Sequence, residues 1–250
     1  MTYGVLAILV VLFFLTSVIG VVTGSNSLIT VPVMFLFGID EKVAVATNMF
    51  GLTFMAIGAT IPFIRQGTID FRRIPPLVVL TVISSAIGAT LIGFITNQSV
   101  KLMVSIAMIV VAVFTLVKRD AGVTKTSEIT RAALIATYIL TFLLGIYGGL
   151  YSGGYVTVLT TVLVAFFGLT FTESIAATKF LNVFSSLIAT LIFMWQGLVD
   201  YKLGAILAVT MFAGAYVGAH YVVKMNDIWL KRIFLGTVFI LALKTLFDFM

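Results

Sequence analysis

Long apolar runs dominate this chain and limit what it can fold into. Eight runs of 18 to 22 residues carry few charges and fall at about 3–22, 43–64, 74–95, 98–117, 131–150, 173–194, 203–222 and 232–249. A run of this length crosses the ~30 Å hydrocarbon core of a bilayer as an α-helix. The mean hydropathy of +1.23 and the 10% of charged residues agree with this, because soluble domains carry about 25%. The sequence therefore predicts an all-α, polytopic membrane protein.

The composition also excludes several classes of function. With 61% hydrophobic residues, the chain has no room for a soluble catalytic domain or a nucleic-acid-binding surface. We assign the net charge of +6 to cytoplasmic loops rather than to an acidic partner. One His and no Cys argue against most metal sites, and neither H-E-x-x-H nor G-x-S-x-G occurs. We predict no enzyme activity, no cofactor, no metal and no nucleic acid; the partners are the lipid bilayer and a small substrate, with a homodimer left open.

Two shorter apolar runs, at about 27–37 and 155–167, each follow a cluster of small and polar residues. These clusters, 23–27 and 148–154, interrupt a helix because Gly, Ser and Asn disfavour it. Irregular backbone at membrane depth is tolerated where it lines a cavity, and the next helix presents its positive end to an anion. The alternative is that the glycines only permit close helix packing. We favour a substrate site, to which we assign Gly24, Ser25, Asn26, Ser27, Ser152, Gly153, Gly154 and Tyr155.

The two halves of the chain resemble each other at a constant spacing. Gln66-Gly67 recurs 130 positions later as Gln196-Gly197, and the following Asp-aromatic-basic triplet recurs with it. We predict two homologous transmembrane repeats, 1–118 and 131–250, joined by a cytoplasmic linker at 119–130. Each repeat would contain four full spans and one short broken-helix segment. Such repeats are typical of secondary transporters, which bind substrate near the midplane where the repeats meet.

The charges of the loops bear on how the repeats are oriented. Basic residues cluster at 65–73, 118–131 and 224–232, whereas the first-half counterpart of the last cluster holds only Lys101. If both short segments cross the membrane, all three clusters lie in the cytoplasm, as the positive-inside rule requires. If the short segments are re-entrant, the last cluster is left outside. We favour inverted repeats on this count, with the crossing of the short segments left open.

Lys179 is an ionisable residue inside an apolar run, about two turns after Glu173. One alternative is that its side chain extends to the membrane interface. However, Asn182 lies on the same helical face, and a charge embedded in a membrane is typically functional. We take Asn48 as its counterpart, with one residue of slippage. One ammonium among amide and hydroxyl donors suits a small oxyanion, so we add Thr47, Asn48, Thr178, Lys179 and Asn182 to the substrate site.

Two further titratable residues are weaker candidates. Glu173 suits the first turn of a helix but could also carry a coupled proton. His220, the single histidine, lies near the end of a span and could relay protons.

Several short motifs follow one another in a fixed order. They are Gly20-xxx-Gly24 with Val31-Pro32, the segments 43–47 and 175–178 that end in Ala-Thr, the turns 66–71 and 196–201, and the helix 214–219. Their order and duplication resemble the sulfite exporter TauE/SafE family, also called 4-toluene sulfonate uptake permeases. The resemblance covers nearly the whole chain from about residue 20, although residues 24–27 read Gly-Ser-Asn-Ser where members often have consecutive glycines.

This resemblance implies a multi-pass carrier in the cell's inner membrane. The family's substrates are small sulfur-containing anions such as sulfite, sulfonates or sulfoacetate, and its topology is described as seven to eight helices. Together with the residues above, it predicts a secondary transporter for such an anion, bound where the two repeats meet. The alternative function is a passive channel for small anions.

Overall fold

The computed structural model describes residues 3–24, 26–100, 102–104, 106, 129–226, 229 and 232. We number its helices in chain order as α1 (Tyr3–Thr23), α2 (Asn26–Leu36), α3 (Glu41–Arg65), α4 (Pro75–Leu91), α5 (Arg131–Leu150), α6 (Tyr155–Phe166), α7 (Phe171–Trp195) and α8 (Tyr201–Val222). A single 3-10 turn, Ile92–Phe94, extends α4. No strand occurs in the part of the chain described.

Six of these helices are long and apolar enough to cross a membrane: α1, α3, α4, α5, α7 and α8. The prediction of a multi-pass helical membrane protein is therefore confirmed. The predicted spans at 98–117 and 232–249 and the linker at 119–130 lie mostly outside the described residues. The short helices α2 and α6 have 11 and 12 residues, so each is about half as long as the hydrocarbon core is thick.

Polar side-chain caps start the two long helices α3 and α7. The Asp40 carboxylate accepts the backbone N–H groups of Lys42 and Val43 at 3.0 and 3.1 Å, which starts α3. Thr170 starts α7 through a capping box, in which its hydroxyl accepts the Glu173 N–H and the Glu173 carboxylate accepts the Thr170 N–H. Such caps satisfy N–H groups that have no partner inside the helix.

Corresponding features of the backbone are 130 residues apart. Helices α3 and α7 both have 25 residues, and α7 begins and ends 130 positions after α3 does. The described glycines with positive φ form three pairs at the same spacing: Gly24 and Gly154, Gly38 and Gly168, and Gly67 and Gly197. Each pair marks the same kind of chain reversal or break, a conformation that glycine adopts without steric cost.

The described helices pack as two bundles, and the two halves of the chain exchange α4 and α8 between them. The first bundle contains α1, α2, α3 and α8, the second contains α4, α5, α6 and α7, and the two meet along α3 and α7. Glycines permit the close contacts: a Cβ on Gly214 would lie 2.6 Å from the Phe14 carbonyl oxygen, and one on Gly58 would lie 2.6 Å from that of Phe212. Small residues bring helices together in this way in membranes.

The two central helices run in opposite directions. Arg73, soon after α3 ends, donates to the Phe167 carbonyl just before α7 begins, at 2.6 Å. At the other end, the Asp200 N–H just after α7 donates to the Thr47 hydroxyl near the start of α3, at 3.0 Å. The end of each helix therefore lies beside the beginning of the other.

Candidate functional site

A central cavity lies between the two bundles, at the level of both helix breaks. It is lined by Gly20, Gly24, Asn26, Ser27, Leu52, Met55, Ala56, Ser152, Val156, Lys179 and Asn182. Its volume is only about 10 Å³, roughly the space that one buried water molecule needs. The cavity in this form therefore has no space for an ion larger than a water molecule.

Lys179 is the charged residue of this lining. Its side chain is 2% exposed, and its Nζ donates to the Gly20 carbonyl at 2.7 Å. The same carbonyl accepts the Gly24 N–H at 2.9 Å, which is the last helical bond before the first break. Among the residues described, no carboxylate pairs with Lys179. A buried ammonium without a counter-charge is costly.

Hydrogen bonds among amides and hydroxyls order the first break. The Asn26 amide donates to the Ser17 hydroxyl at 3.0 Å, and its carbonyl oxygen accepts the Thr30 hydroxyl at 3.1 Å. The Asn48 amide donates to the Ser27 hydroxyl at 2.9 Å and accepts from Thr30 at 2.8 Å. Asn48 therefore orients Ser27 from behind rather than lining the cavity itself.

The second break has a different construction. Ser152 lines the cavity, and Gly154, with φ of +80°, begins α6 without a side-chain cap. The ring of Tyr151 occupies the space that a Cβ on Gly153 would need. Tyr155 is fully buried behind the break. Gly153, Gly154 and Tyr155 therefore shape the break without lining the cavity.

Comparison with known proteins identifies the family. Residues 9–245 match the family described as sulfite exporter TauE/SafE. The chain belongs to the sulfite exporter TauE/SafE family. The match covers most of the chain, which confirms the family predicted from the sequence motifs.

Curated relatives of this TauE/SafE chain have matching names. It is 26% identical to a probable membrane transporter protein, ORF9, of a Sinorhizobium species, over 99% of this chain and 95% of the relative. It is 24% identical to a probable membrane transporter protein of Haemophilus influenzae, over 97% of this chain and 95% of the relative. It is 23% identical to YfcA of Escherichia coli K12, a probable membrane transporter protein, over 95% of this chain and 89% of the relative. No solved structure matches the chain. The family and these names indicate a membrane transporter.

The predicted site residues of this TauE/SafE chain fall into two groups. The structure brings Gly24, Asn26, Ser27, Ser152, Lys179 and Asn182 together at the cavity. It leaves Thr47, Asn48, Gly153, Gly154, Tyr155 and Thr178 outside the lining, and Ser25 lies outside the described residues. The role of both groups in substrate binding stays a prediction.

The residues away from the cavity have other partners. Thr47 accepts the Asp200 N–H, and Thr178 donates to the Ser174 carbonyl at 2.6 Å. Glu173 forms the capping box of α7, and His220 is exposed at the end of α8 with its Nε2 3.0 Å from the Lys224 ammonium. Neither Glu173 nor His220 lines the cavity, so their part in proton coupling stays a prediction.

Sequence reasoning missed some of the lining. Leu52, Met55, Ala56 and Val156 are apolar, and residue type does not distinguish them from the rest of the core. Gly20 contributes through its backbone carbonyl, and the glycine motif that contains it was the available signal. Which carbonyl a distant side chain reaches depends on tertiary packing.

Proposed function

We propose that this chain is a secondary carrier for a small sulfur-containing anion of the sulfite, sulfonate or sulfoacetate type, acting in the inner cell membrane. The observation that carries the proposal is the buried Lys179 ammonium, which faces the central cavity and has a single neutral carbonyl as its partner. Membership of the sulfite exporter TauE/SafE family supports the substrate class.

The chemistry of the cavity supports an oxyanion. Asn26, Ser27, Ser152 and Asn182 provide neutral donors around the ammonium, and no acidic residue lines the described cavity. Hydrogen bonds from ionised donors to oxyanions are about twice as strong as neutral ones. An anion that enters this site exchanges its hydration for one charge-assisted bond and several neutral bonds.

We also propose that the chain consists of two inverted repeats, with the cavity on the axis that relates them. Supporting this, the Asn26 and Val156 positions and the Leu52 and Asn182 positions are 130 residues apart, and both pairs line the cavity. Helices α3 and α7 correspond at this spacing and run in opposite directions.

At this spacing, Asn48 corresponds to Thr178 rather than to Lys179. The bond from Thr30 to Asn48 and the bond from Thr160 to Thr178 are then equivalent, at 2.8 and 3.2 Å. Lys179 corresponds to Met49, so the second repeat alone supplies the charge.

The orientation of the repeats is tested by cysteine labelling. Arg72 and Lys202 are exposed, correspond at the 130-residue spacing, and belong to a chain without cysteine. We expect a membrane-impermeant maleimide to label Arg72→Cys from one side of the membrane and Lys202→Cys from the other. Labelling of both from the same side would contradict inversion.

A flux experiment separates the carrier from the alternative, a passive anion channel. We expect proteoliposomes loaded with unlabelled sulfite to accumulate labelled sulfite transiently, with a saturable initial rate, because the cavity closes around one small ion at a time. Liposomes without protein provide the background rate. Unitary currents in planar bilayers, with no counterflow, would favour the channel instead.

A further inference from the structure

Three hydrogen bonds join the two bundles at the first helix break, and we call them the clasp. In each, a side chain of the second bundle donates to a backbone carbonyl of the first. The pairs are Lys179 Nζ to Gly20 O at 2.7 Å, Thr157 Oγ1 to Thr23 O at 2.7 Å, and Tyr151 OH to Ser27 O at 2.9 Å. The clasp therefore extends from the last turn of α1 to the first turn of α2.

The clasp adds hydrogen bonds to three carbonyl groups next to the first break. At membrane depth, no bulk water replaces a hydrogen bond that is lost. At the second break, by contrast, the Gly153 carbonyl accepts the hydroxyl of Tyr147 from its own bundle. Within the described residues, only the first break depends on the opposite bundle in this way.

Two members of the clasp do not touch the cavity. Tyr151 is 1% exposed and Thr157 is fully buried, and neither lines the cavity. The ring of Tyr151 is held against Gly153, where any larger residue would displace it. These hydroxyls can therefore affect substrate only through the position of the first break. Lys179 is the member that belongs to both the clasp and the cavity.

We propose that the clasp holds the two bundles closed around the cavity, with Tyr151 and Thr157 as positioning residues, and that the substrate anion opens it by drawing the Lys179 ammonium away from Gly20. This proposal rests on the proposed function and extends it. An oxyanion is a stronger partner for an ammonium than a neutral carbonyl is. Since the closed cavity has space for about one water molecule, binding the anion and separating the bundles are one linked event.

This linkage fixes the sign of the mutational effects. Removing the Tyr151 or Thr157 hydroxyl removes one hydrogen bond between the bundles from the closed form, so the open form becomes more populated. An anion that requires the open form then binds more tightly, by about fivefold for one hydrogen bond of ordinary net strength. A merely structural role predicts the opposite, since damage to the site weakens binding.

Ala56 provides a reporter of opening that needs no ligand. It lines the cavity from α3, is 1% exposed and makes no polar side-chain contact, and the chain has no native cysteine. In an Ala56→Cys background, we expect Tyr151→Phe and Thr157→Val each to raise the labelling rate by a small methanethiosulfonate reagent about fivefold. Thr157→Ser should restore the parent rate. Tyr147→Phe is the matched control, because its bond stays within the second bundle, and its rate should equal that of the parent.

Sulfite titration by calorimetry gives the second measurement. Tyr151→Phe and Thr157→Val should each bind sulfite about fivefold more tightly than the parent, while maximal counterflow falls because the closed form is less populated. The proposal would be overturned if both variants were labelled at the parent rate, or if both bound sulfite more weakly than the parent. Failure of the proposed function is distinguishable: Lys179→Met would then bind sulfite like the parent, whereas the labelling rates without anion would still report on the clasp.

Discussion

Lys179→Ala is expected to weaken sulfite binding about 10- to 100-fold, the range that follows from losing a hydrogen bond between charged groups. The side chain is buried, faces the cavity and supplies the charge of the described lining. Without it, the anion would have to leave water for neutral donors alone, which do not compensate its desolvation. Calorimetry on the purified protein in detergent measures the change in affinity.

Three further substitutions separate charge from shape at this position. Lys179→Met retains most of the apolar stem without the charge, so it should bind sulfite as weakly as the alanine variant. Lys179→Arg should retain part of the affinity with altered selectivity, since a planar guanidinium differs in geometry from a compact ammonium. Lys179→Glu should repel the anion.

An exposed lysine provides the control for charge alone. Lys202→Ala removes an exposed charge at the start of α8 and should leave the affinity unchanged. Thermal unfolding of each variant checks that it is folded. If Lys179→Ala binds sulfite like the parent, the anion site must lie elsewhere, on the backbone amides of the two helix breaks.

The features that the sequence predicted well are local ones. Apolar runs and glycine-rich breaks are properties of neighbouring residues, and they located α3, α7 and the short helices to within a few residues. The predicted run at 43–64 begins two residues after the start of α3 and ends one residue before the end of this helix, Glu41–Arg65. Hydropathy does not register the polar cap at Asp40, which starts the helix before its first apolar residue.

The arrangement of the helices could not be predicted from the same signals. The spacing of 130 residues relates positions in the two halves but does not indicate which surfaces meet. In the fold, α8 packs on α1 and α3, and α4 packs on α5 and α7, so each bundle combines helices from both halves. Contacts such as that between Gly214 and Phe14 decide this exchange, and they depend on shape complementarity between distant segments.

Within the site, the sequence indicated which polar residues lie at the depth of the helix breaks, but not which neighbour each side chain meets. Each step along a helix turns the side chain by about 100°, so an error of one residue moves it from the cavity to the neighbouring helix. Asn48 and Thr178 illustrate this: each bonds to a threonine of the short helix beside it. Lys179, one position beyond Thr178, reaches the cavity instead.

Gly24→Leu is expected to abolish sulfite uptake while leaving membrane insertion intact. Gly24 has φ of +67°, and a Cβ there would lie 2.8 Å from both the Thr157 backbone nitrogen and Val156 Cγ1. The left-handed conformation costs an L-residue about 1–2 kcal/mol, and the overlap forces the first break away from α6. Because Gly24 also lines the cavity, this displacement changes the proposed substrate site directly. Uptake into proteoliposomes, normalised to inserted protein, measures the loss.

Alanine substitutions at three glycines separate the conformational cost from the steric one. Gly38 has φ of +75° with no atom within 4 Å of its Cβ position, so Gly38→Ala carries the conformational cost alone. Gly4 has neither a positive φ nor a close neighbour, so Gly4→Ala should match the parent in uptake and in thermal unfolding. Gly24→Ala carries both costs and should lower uptake at least about tenfold, because a contact with the backbone of α6 cannot be relieved by turning a side chain. Equal uptake by the Gly24 and Gly38 variants would mean that the close approach of the first break to α6 has no part in transport.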